Sequence, residues 1–452
     1  MKVKKNMKIG LLAMSGIRSC DPELLERGLT LPGFVERSRQ VAALPSLGLL
    51  YLAACTPGEH ELAYFEAPAD GQEPGDVYGC DLVAVSTYTA QANEAYRIAD
   101  RLRAAGVRVA MGGLHVTVRP QEALEHADYV VVGEGENTWP AVVRAAERGG
   151  GPRIFDARDF PPVDVATLPV PRYDLLGERP YNRYTVQTSR GCPYRCEFCA
   201  STVMLSQRYR KRPVEHVVRD IRAVLELHPG AFIELADDNT FVDKEWGVRL
   251  LRAIEPLGIK WFTETDVSVA DDPELLGLLA RSGCRQLLIG LEAPNAAPLA
   301  GLELKSDFKA RRCAGNEDAV RRIQSQGVTV NGCFVLGLDG QTPAAFDDVL
   351  AFVERSGLYE VQITMQTAFP GTPLYERLAR EGRLVEQERW ELCTLFDVNF
   401  HPRGMTADEL RSGFYRLSDR LYSAAAMQAR REPFFARLRG KTREADNGLA
   451  VA

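Results

Sequence analysis

The sequence contains no run of about 18 consecutive apolar residues, so no transmembrane helix is expected. Its start, Met1-Lys-Val-Lys-Lys-Asn-Met-Lys followed by apolar Ile9–Met14, has the order of a signal peptide. The apolar run is short and no small-residue cleavage site follows, so a first buried strand is the expectation. Positive charge is not in excess either. A formal net charge of −6 gives no broad basic field for nucleic acid, and neither a basic helix nor a Cys/His finger occurs. A disulfide framework is also missing. Outside one cluster of three, the cysteines stand singly at 20, 55, 80, 284, 313, 333 and 393, as in a reducing, cytoplasmic protein. With 452 residues the chain is too long for one typical domain, and two or three are expected.

What is present centres on Thr188-Ser-Arg-Gly-Cys-Pro-Tyr-Arg-Cys-Glu-Phe-Cys199. Cys192, Cys196 and Cys199 are spaced C-x3-C-x2-C. A strand-like run from Tyr184 leads into them, and Gly191 and Pro193 bracket the first cysteine, which puts the thiols on a loop. Thiolates select zinc, copper or iron–sulfur clusters. Zinc would want a fourth ligand at similar spacing, yet the next cysteine is Cys284. A four-iron cluster held by three cysteines leaves one iron open, where a bound ligand can be activated.

Upstream, apolar strands are expected at Lys8–Met14, Glu61–Glu66, Leu82–Thr87, Val107–Met111 and Tyr129–Val132, with helical patterns between them such as Ala90–Ala105. This alternation predicts a Rossmann-like, doubly wound parallel sheet over 1–150. Ligands in such sheets lie beyond the carboxyl ends of the strands. The loops there are Ser15-Gly16, Ser86–Thr89, Gly112–Thr117 and Gly133–Glu136. A proline-rich linker is expected over 151–183. A second alternation spans 184–370, with strands at Tyr184–Thr188, Ala231–Leu235, Ile259–Thr263, Gln286–Gly290, Val328–Leu336 and Glu360–Thr364. Asp237, Asp238, Asn239, Glu264, Asp266, Glu292, Asp339 and Gln366 stand at or just past the carboxyl ends of these strands. The competing role for Asp238 and Asn239 is to cap the helix after Phe241. Residues 371–440 form an aromatic-rich, mostly helical extension holding Trp390, Phe396, Phe400, Phe414, Tyr415 and Tyr422. Any one of these aromatics more often serves packing than a substrate pocket. The tail, 441–452, is polar and expected to be flexible, with fraying from Arg439.

The cysteine motif, with Phe198 before its last cysteine, resembles the radical S-adenosylmethionine (SAM) superfamily. That resemblance implies a partial (β/α)6 barrel and a [4Fe-4S] cluster on Cys192, Cys196 and Cys199. It implies that SAM chelates the open iron and is cleaved by one electron to methionine and a 5′-deoxyadenosyl radical. It places Asp237 and Asp238 at the segment that binds the SAM amino group, Glu292 at a SAM contact and Phe198 on adenine. Leu44–Ala53, Gly112-Gly-Leu-His115 and Gly133–Thr138 resemble the cobalamin-binding domain of one large subfamily. Ser86, Thr87, Gly112, Gly113, His115, Gly133, Glu134 and Gly135 are then corrinoid contacts by resemblance. The chain departs in lacking Asp-x-His-x-x-Gly, so no side chain is expected to ligate cobalt from below. The alternative for the glycines is tight strand-to-helix turns, and for His115 a helix cap or a bonded backbone carbonyl. The implied activity is methylation of an unactivated carbon, or of a phosphinate phosphorus, in a small-molecule or lipid-like substrate. One SAM methylates cobalamin and a second supplies the radical. A flavodoxin- or ferredoxin-type protein would supply electrons. The rival is a cobalamin-independent radical enzyme performing cyclisation, cross-linking or transfer of another SAM fragment such as 3-amino-3-carboxypropyl. A non-enzymatic iron–sulfur or zinc regulator is the remaining alternative.

Overall fold

In the amino-terminal part six short strands alternate with helices: β1 (Lys8–Ala13), β2 (Glu61–Glu66), β3 (Leu82–Ser86), β4 (Arg108–Gly112), β5 (Tyr129–Val132) and β6 (Ile154–Asp156). The structure, a computed structural model, describes residues 6–14, 16–17, 19–30, 44–68, 73–179, 181–201 and 208–449, and among these not the side chains of 28–30 and 440–449. The Ser15 half of the Ser15-Gly16 loop therefore lies outside the described residues. All six strands are parallel, in the order β2-β1-β3-β4-β5-β6. β1 reads as an almost continuous apolar run because helices cover both faces. On one face the helix Ala92–Ala104 buries Ala95, Ile98, Ala99 and Leu102 at helical spacing. The strand order reverses between β1 and β3, the point where sheets of this order take their ligands. The sixth strand falls inside the stretch expected to be linker. Three residues at a sheet edge are too few to carry a periodic signal.

The second sheet is β7 (Tyr184–Val186), β10 (Phe232–Leu235), β11 (Lys260–Thr265), β12 (Cys284–Glu292), β13 (Thr329–Leu336) and β14 (Glu360–Met365). It too is fully parallel, ordered β14-β13-β12-β11-β10-β7. This is the expected six-stranded partial barrel, open between β14 and β7. Between β7 and β10, β8 (Ser189–Arg190) pairs antiparallel with β9 (Arg210–Lys211), forming a ribbon that closes the base of the cysteine loop. Its two-residue arms were invisible to pattern reading.

The carboxy-terminal extension covers an edge of this sheet. The hydroxyl of Tyr422 lies 3.2 Å from both the Ile363 amide and the Val361 carbonyl of β14. Trp390, Phe400, Phe414, Tyr415 and Tyr422 are buried, so the aromatics of this segment are mainly packing core. Its longest helices are Ala407–Tyr422, started by a Thr406/Glu409 capping box, and Ala424–Leu449, which carries helix past the point where fraying is expected. Strong helix formers such as Ala, Arg and Glu favour that continuation. One face of the amino-terminal sheet shares an apolar core with Leu374, Leu378, Trp390 and Phe400 of the extension. The other shares one with the barrel.

Candidate active site at the facing ends of two sheets

The cysteine loop is anchored at its start by Asp237, which follows β10. The Asp237 carboxylate accepts hydrogen bonds from the amides of Thr188 and Ser189 at 2.8 Å each, from the Thr240 hydroxyl at 2.9 Å and from the Thr188 hydroxyl. A carboxylate offers about four acceptor positions. All are filled by protein, so Asp237 holds the loop and has no capacity left for the SAM amino group. Burial pushes its pKa up, and those four donors oppose the shift. Asp238 accepts from the Gly191 amide at 3.0 Å and from the Ser201 hydroxyl, which pins the residue before Cys192. Neither Asp238 nor Asn239 caps the next helix. Asp243 does so, through the Trp246 amide at 2.9 Å, and Asn239 instead donates to Asp266 at 2.9 Å.

The segment after β12 lies along the same loop. Cys196 bridges antiparallel to Glu303, the Glu197 amide donates to the Leu302 carbonyl at 2.9 Å, and the Leu304 amide to the Arg195 carbonyl at 2.8 Å. Tyr194 stacks on Phe308 with ring centroids 4.9 Å apart. Glu292 lies at a bulge of β12 with φ of 61°, a left-handed conformation that costs a non-glycine residue about 1–3 kcal/mol and tends to occur at functional sites. Its Oε1 accepts from Lys309 Nζ at 2.7 Å, and Lys309 also donates to the Gly290 carbonyl at 2.8 Å. A Cβ on Gly290 would sit 2.6 Å from Glu292 Oε1, so glycine there makes room for the pair. Burial would lower the Lys309 pKa, but Glu292 and then Cys196 raise it overall. Lys309 is thus a cation beside the cysteine loop. Sequence reasoning missed it, because it falls in no motif and 17 residues separate it from Glu292. Phe198 is half-buried between an apolar cluster of the extension and amino-terminal sheet and one formed by Ala293, Leu299, Leu302, Val335 and Leu338.

Cys196 is buried, while Cys192 and Cys199 are partly exposed. Burial first pushes the Cys192 thiol up to about 12. The metal-free Cys192 thiol is therefore protonated, and loading a metal there releases its proton. Among the described residues, no three His, Cys, Asp or Glu side chains converge closely enough to hold a single ion. One zinc needs all its ligands about 2.0–2.3 Å from one point. A four-iron cluster instead takes each thiolate on a different iron, so its cysteines need not converge. Three thiols on one loop without a fourth fit the cluster.

At the facing end of the first sheet, most of the expected contacts are engaged by protein. Gly113 has φ of 104°, and a Cβ there would lie 2.6 Å from the Thr87 carbonyl oxygen, so the glycine lets the β4 loop close on the β3 loop. Thr87 is buried, its amide donating to the Gly112 carbonyl at 3.1 Å and its hydroxyl to the Tyr88 carbonyl at 2.9 Å. Ser86 is half-buried. The Gly133 amide donates to Thr117 at 3.1 Å, and a Cβ on Gly135 would meet Leu52 at 3.0 Å. Glu134 accepts from Arg190 at 2.8 Å and from Arg210, while Glu136 accepts from Arg190 at 2.6 Å. Burial would raise the Glu134 pKa, and the two arginines bring it below the ordinary carboxylate range. His115 is fully buried. Its Nε2 is 3.5 Å from Glu122, and its ring meets the Trp390 edge at 5.1 Å. Trp390 Nε1 donates to the same Glu122 oxygen at 2.9 Å. Through Glu122 and Trp390, His115 thus joins the sheet to the extension, a role beside the expected corrinoid contact. Tyr51, in the Leu44–Ala53 motif, accepts from the buried Arg212 at 2.9 Å and likewise joins two units.

Two side chains describe a space between these ends. Tyr88, just past β3 at the switch point, is 56% exposed, yet burial and then the Glu234 carboxylate raise the pKa of its hydroxyl. Glu264, near the end of β11, is also exposed and makes no side-chain hydrogen bond or ion pair among the described residues, while burial and then Glu234 raise its pKa to about 7. Tyr88 and Glu264 both feel the Glu234 carboxylate, so the end of β3 and the ends of β10 and β11 border one space. Beside it, Glu234 pairs with Arg183 at 3.1 Å. That space lies at the switch point, where sheets of this order take their ligands, and Tyr88 is left exposed there.

Thiols at the mouth of a partial barrel, facing the ligand end of a doubly wound sheet, define a radical SAM enzyme of the cobalamin-binding architecture. Residues 41–143 match the B12 binding domain, 186–353 the radical SAM superfamily and 372–450 a domain of unknown function, DUF4070. An uncharacterized methyltransferase of Synechocystis sp. is 30% identical over 387 residues, covering 83% of this chain and 71% of that protein. The bacteriochlorophyllide d C-12(1)-methyltransferase of Chlorobaculum tepidum is 25% identical, covering 85% and 84%. The solved radical SAM methyltransferase TsrM of Kitasatospora setae, with cobalamin and a [4Fe-4S] cluster bound, matches with a TM-score of 0.61 at 18% identity over 84% of this chain and 78% of that one, a likeness of fold. The chain belongs to the radical SAM methyltransferases that carry a B12 binding domain.

Proposed function

We propose that this enzyme methylates an unactivated carbon of a small-molecule or lipid-like substrate, using a [4Fe-4S] cluster, SAM and cobalamin. The observation that carries this reading is the Arg190 clamp. Arg190 directly precedes Gly191-Cys192 and is held by Glu134 and Glu136 beyond β5, so the loop for the cluster and the ligand end of the first sheet border one cleft. When bound, the cluster supplies the electron that cleaves SAM to the 5′-deoxyadenosyl radical, and cobalamin carries the methyl group. The protein's own part is to hold and to shield. Cys192, Cys196 and Cys199 would hold the cluster. The Lys309–Glu292 pair beside Cys196 would orient the carboxylate and ammonium of SAM. Phe198 would take the adenine face, and Tyr88 and Ser86 would line the corrinoid. Asp237 and Asp238 act only through the loop. The extension, by covering the barrel edge, would keep bulk water from the radical. Chemistry of this kind suits a reducing cytoplasm and a flavodoxin- or ferredoxin-type donor. The bacteriochlorophyllide methyltransferase among the relatives supports a substrate with an unactivated carbon.

The test needs no substrate. Protein reconstituted without oxygen with iron, sulfide and hydroxocobalamin is given SAM and dithionite, and S-adenosylhomocysteine and 5′-deoxyadenosine are quantified. Both products are expected, the first only with corrinoid present. 5′-Deoxyadenosine without S-adenosylhomocysteine would favour the cobalamin-independent rival.

A further inference from the structure

The region that matches DUF4070 touches the cysteine motif itself. Glu197 lies between Cys196 and Cys199. Its carboxylate is gripped by Arg377 of the helix Pro373–Arg380, with Nη2 to Oε1 at 2.6 Å and Nε to Oε2 at 3.2 Å. Its carbonyl accepts from the Leu374 amide of the same helix at 3.0 Å. Arg377 is held in turn. Its Nη1 donates to Asp339 at 2.7 Å in the loop after β13, and Asp339 accepts from Arg383 at 2.7 Å. Burial would raise the Asp339 pKa, but Arg383 and Arg377 bring it below the usual range, so this carboxylate is ionised and belongs to the network. The Glu197–Arg377 pair is mostly shielded from water, with side chains 14% and 25% exposed. A two-pronged, partly buried arginine–carboxylate contact fixes orientation as well as charge.

The cysteine loop is therefore held from three sides. Glu134 and Glu136 of the first sheet hold Arg190, Asp237 and Asp238 of the barrel hold its first turn, and the extension holds its second half. We infer that Arg377 is a positioning residue for the cluster loop, and that the carboxy-terminal region is a brace that fixes the Cys196–Cys199 turn and neutralises the one carboxylate inside the motif. This rests on the reading that the three cysteines hold a cluster. Reducing a cluster adds negative charge, so an unneutralised Glu197 nearby would make reduction harder.

The experiment compares wild type with Arg377→Met, Arg377→Lys, Glu197→Gln and the Arg377→Met/Glu197→Gln double variant. Three readouts are taken: hydrogen exchange of residues 191–200 in metal-free protein, iron release to a chelator after anaerobic reconstitution, and the cluster midpoint potential by EPR-monitored titration. Arg377→Met should speed exchange of that segment at least tenfold, speed iron release and shift the potential negative. Arg377→Lys, which keeps charge but loses the fork, should hold the potential near wild type while exchange stays faster. Glu197→Gln should shift the potential positive, and the double variant should lose the negative shift of Arg377→Met. If Arg377→Met does not fold, Arg377→Lys still tests the brace through exchange and Glu197→Gln still tests the charge through the potential. Unchanged exchange and potential in the folded variants would overturn the inference. A wild type that takes no iron would sink the proposed function instead, and the exchange readout on metal-free protein would still decide whether the brace exists.

Discussion

The molecule contains two six-stranded parallel sheets, and their carboxyl ends treat polar side chains differently. At the end of the first sheet, the polar residues beyond the strands reach other units: Glu134 and Glu136 to Arg190, His115 and Glu122 to Trp390. At the end of the second sheet, Asp237 and Asp238 turn back onto the chain that carries the cysteines, and Glu264 is left facing the cleft without a partner among the described residues. Both ends lie where such sheets bind ligands. Location alone therefore does not assign a role. What separates a binding group from a brace is whether protein donors already fill its acceptor positions.

The largest expected effect is at Asp237. Asp237→Ala leaves two buried amides without acceptors, at about 1–3 kcal/mol each, and loosens the cysteine loop. Denaturant unfolding should show a loss of about 2–6 kcal/mol, with Asp237→Asn intermediate. Wild-type stability combined with weakened SAM binding would return Asp237 to the ligand side of the comparison. Next is Arg190→Met, which leaves Glu136 without its arginine. Breaking a fully buried pair costs about 3–5 kcal/mol, and here the side chains keep some solvent contact, so about 2–3 kcal/mol is expected, together with faster iron loss. His115→Phe is milder. Glu122 keeps its bond from Trp390, so the loss should be about 1 kcal/mol, and the spectrum of bound corrinoid should not change. A changed spectrum would place His115 in the cleft after all.

The smallest effect tests the unpartnered carboxyl. Glu264 is raised from an ordinary 4.5 to about 7, by burial first and Glu234 next. The folded state thus holds a proton that the unfolded state releases near 4.5. Its contribution to stability is fully present below that pH and is lost as pH rises towards 7. Glu264→Gln cannot titrate, so its melting temperature relative to wild type should rise between pH 4.5 and pH 8. A constant difference across that range would mean Glu264 is solvated like a surface residue.

Much of the fold was legible. The β5 boundaries follow from an apolar run, because parallel strands buried on both faces show little but apolar residues, and the helix Ala92–Ala104 follows from the helical spacing of its apolar residues. The cysteine triplet was legible because its ligands are close in sequence. The roles of the polar residues were less so. Arg190, Arg377 and Lys309 act across 54, 180 and 17 residues respectively, and no local pattern marks a partner at such distances. Asp237 misled for the same reason, since its position at a strand end was readable and the four donors filling it were not.

The central claim is that the two sheet ends share one cleft and that a corrinoid occupies it above the cysteine loop. The direct measurement is equilibrium binding of hydroxocobalamin to anaerobic, cluster-loaded protein, in wild type and in Tyr88→Arg, which puts a long cation into the cleft at the switch point. The account predicts stoichiometric corrinoid in wild type, and at least a tenfold loss of affinity in Tyr88→Arg with iron content and melting temperature retained. Wild-type protein that holds its iron but takes up no corrinoid, or a Tyr88→Arg variant that binds it with unchanged affinity, would contradict the account.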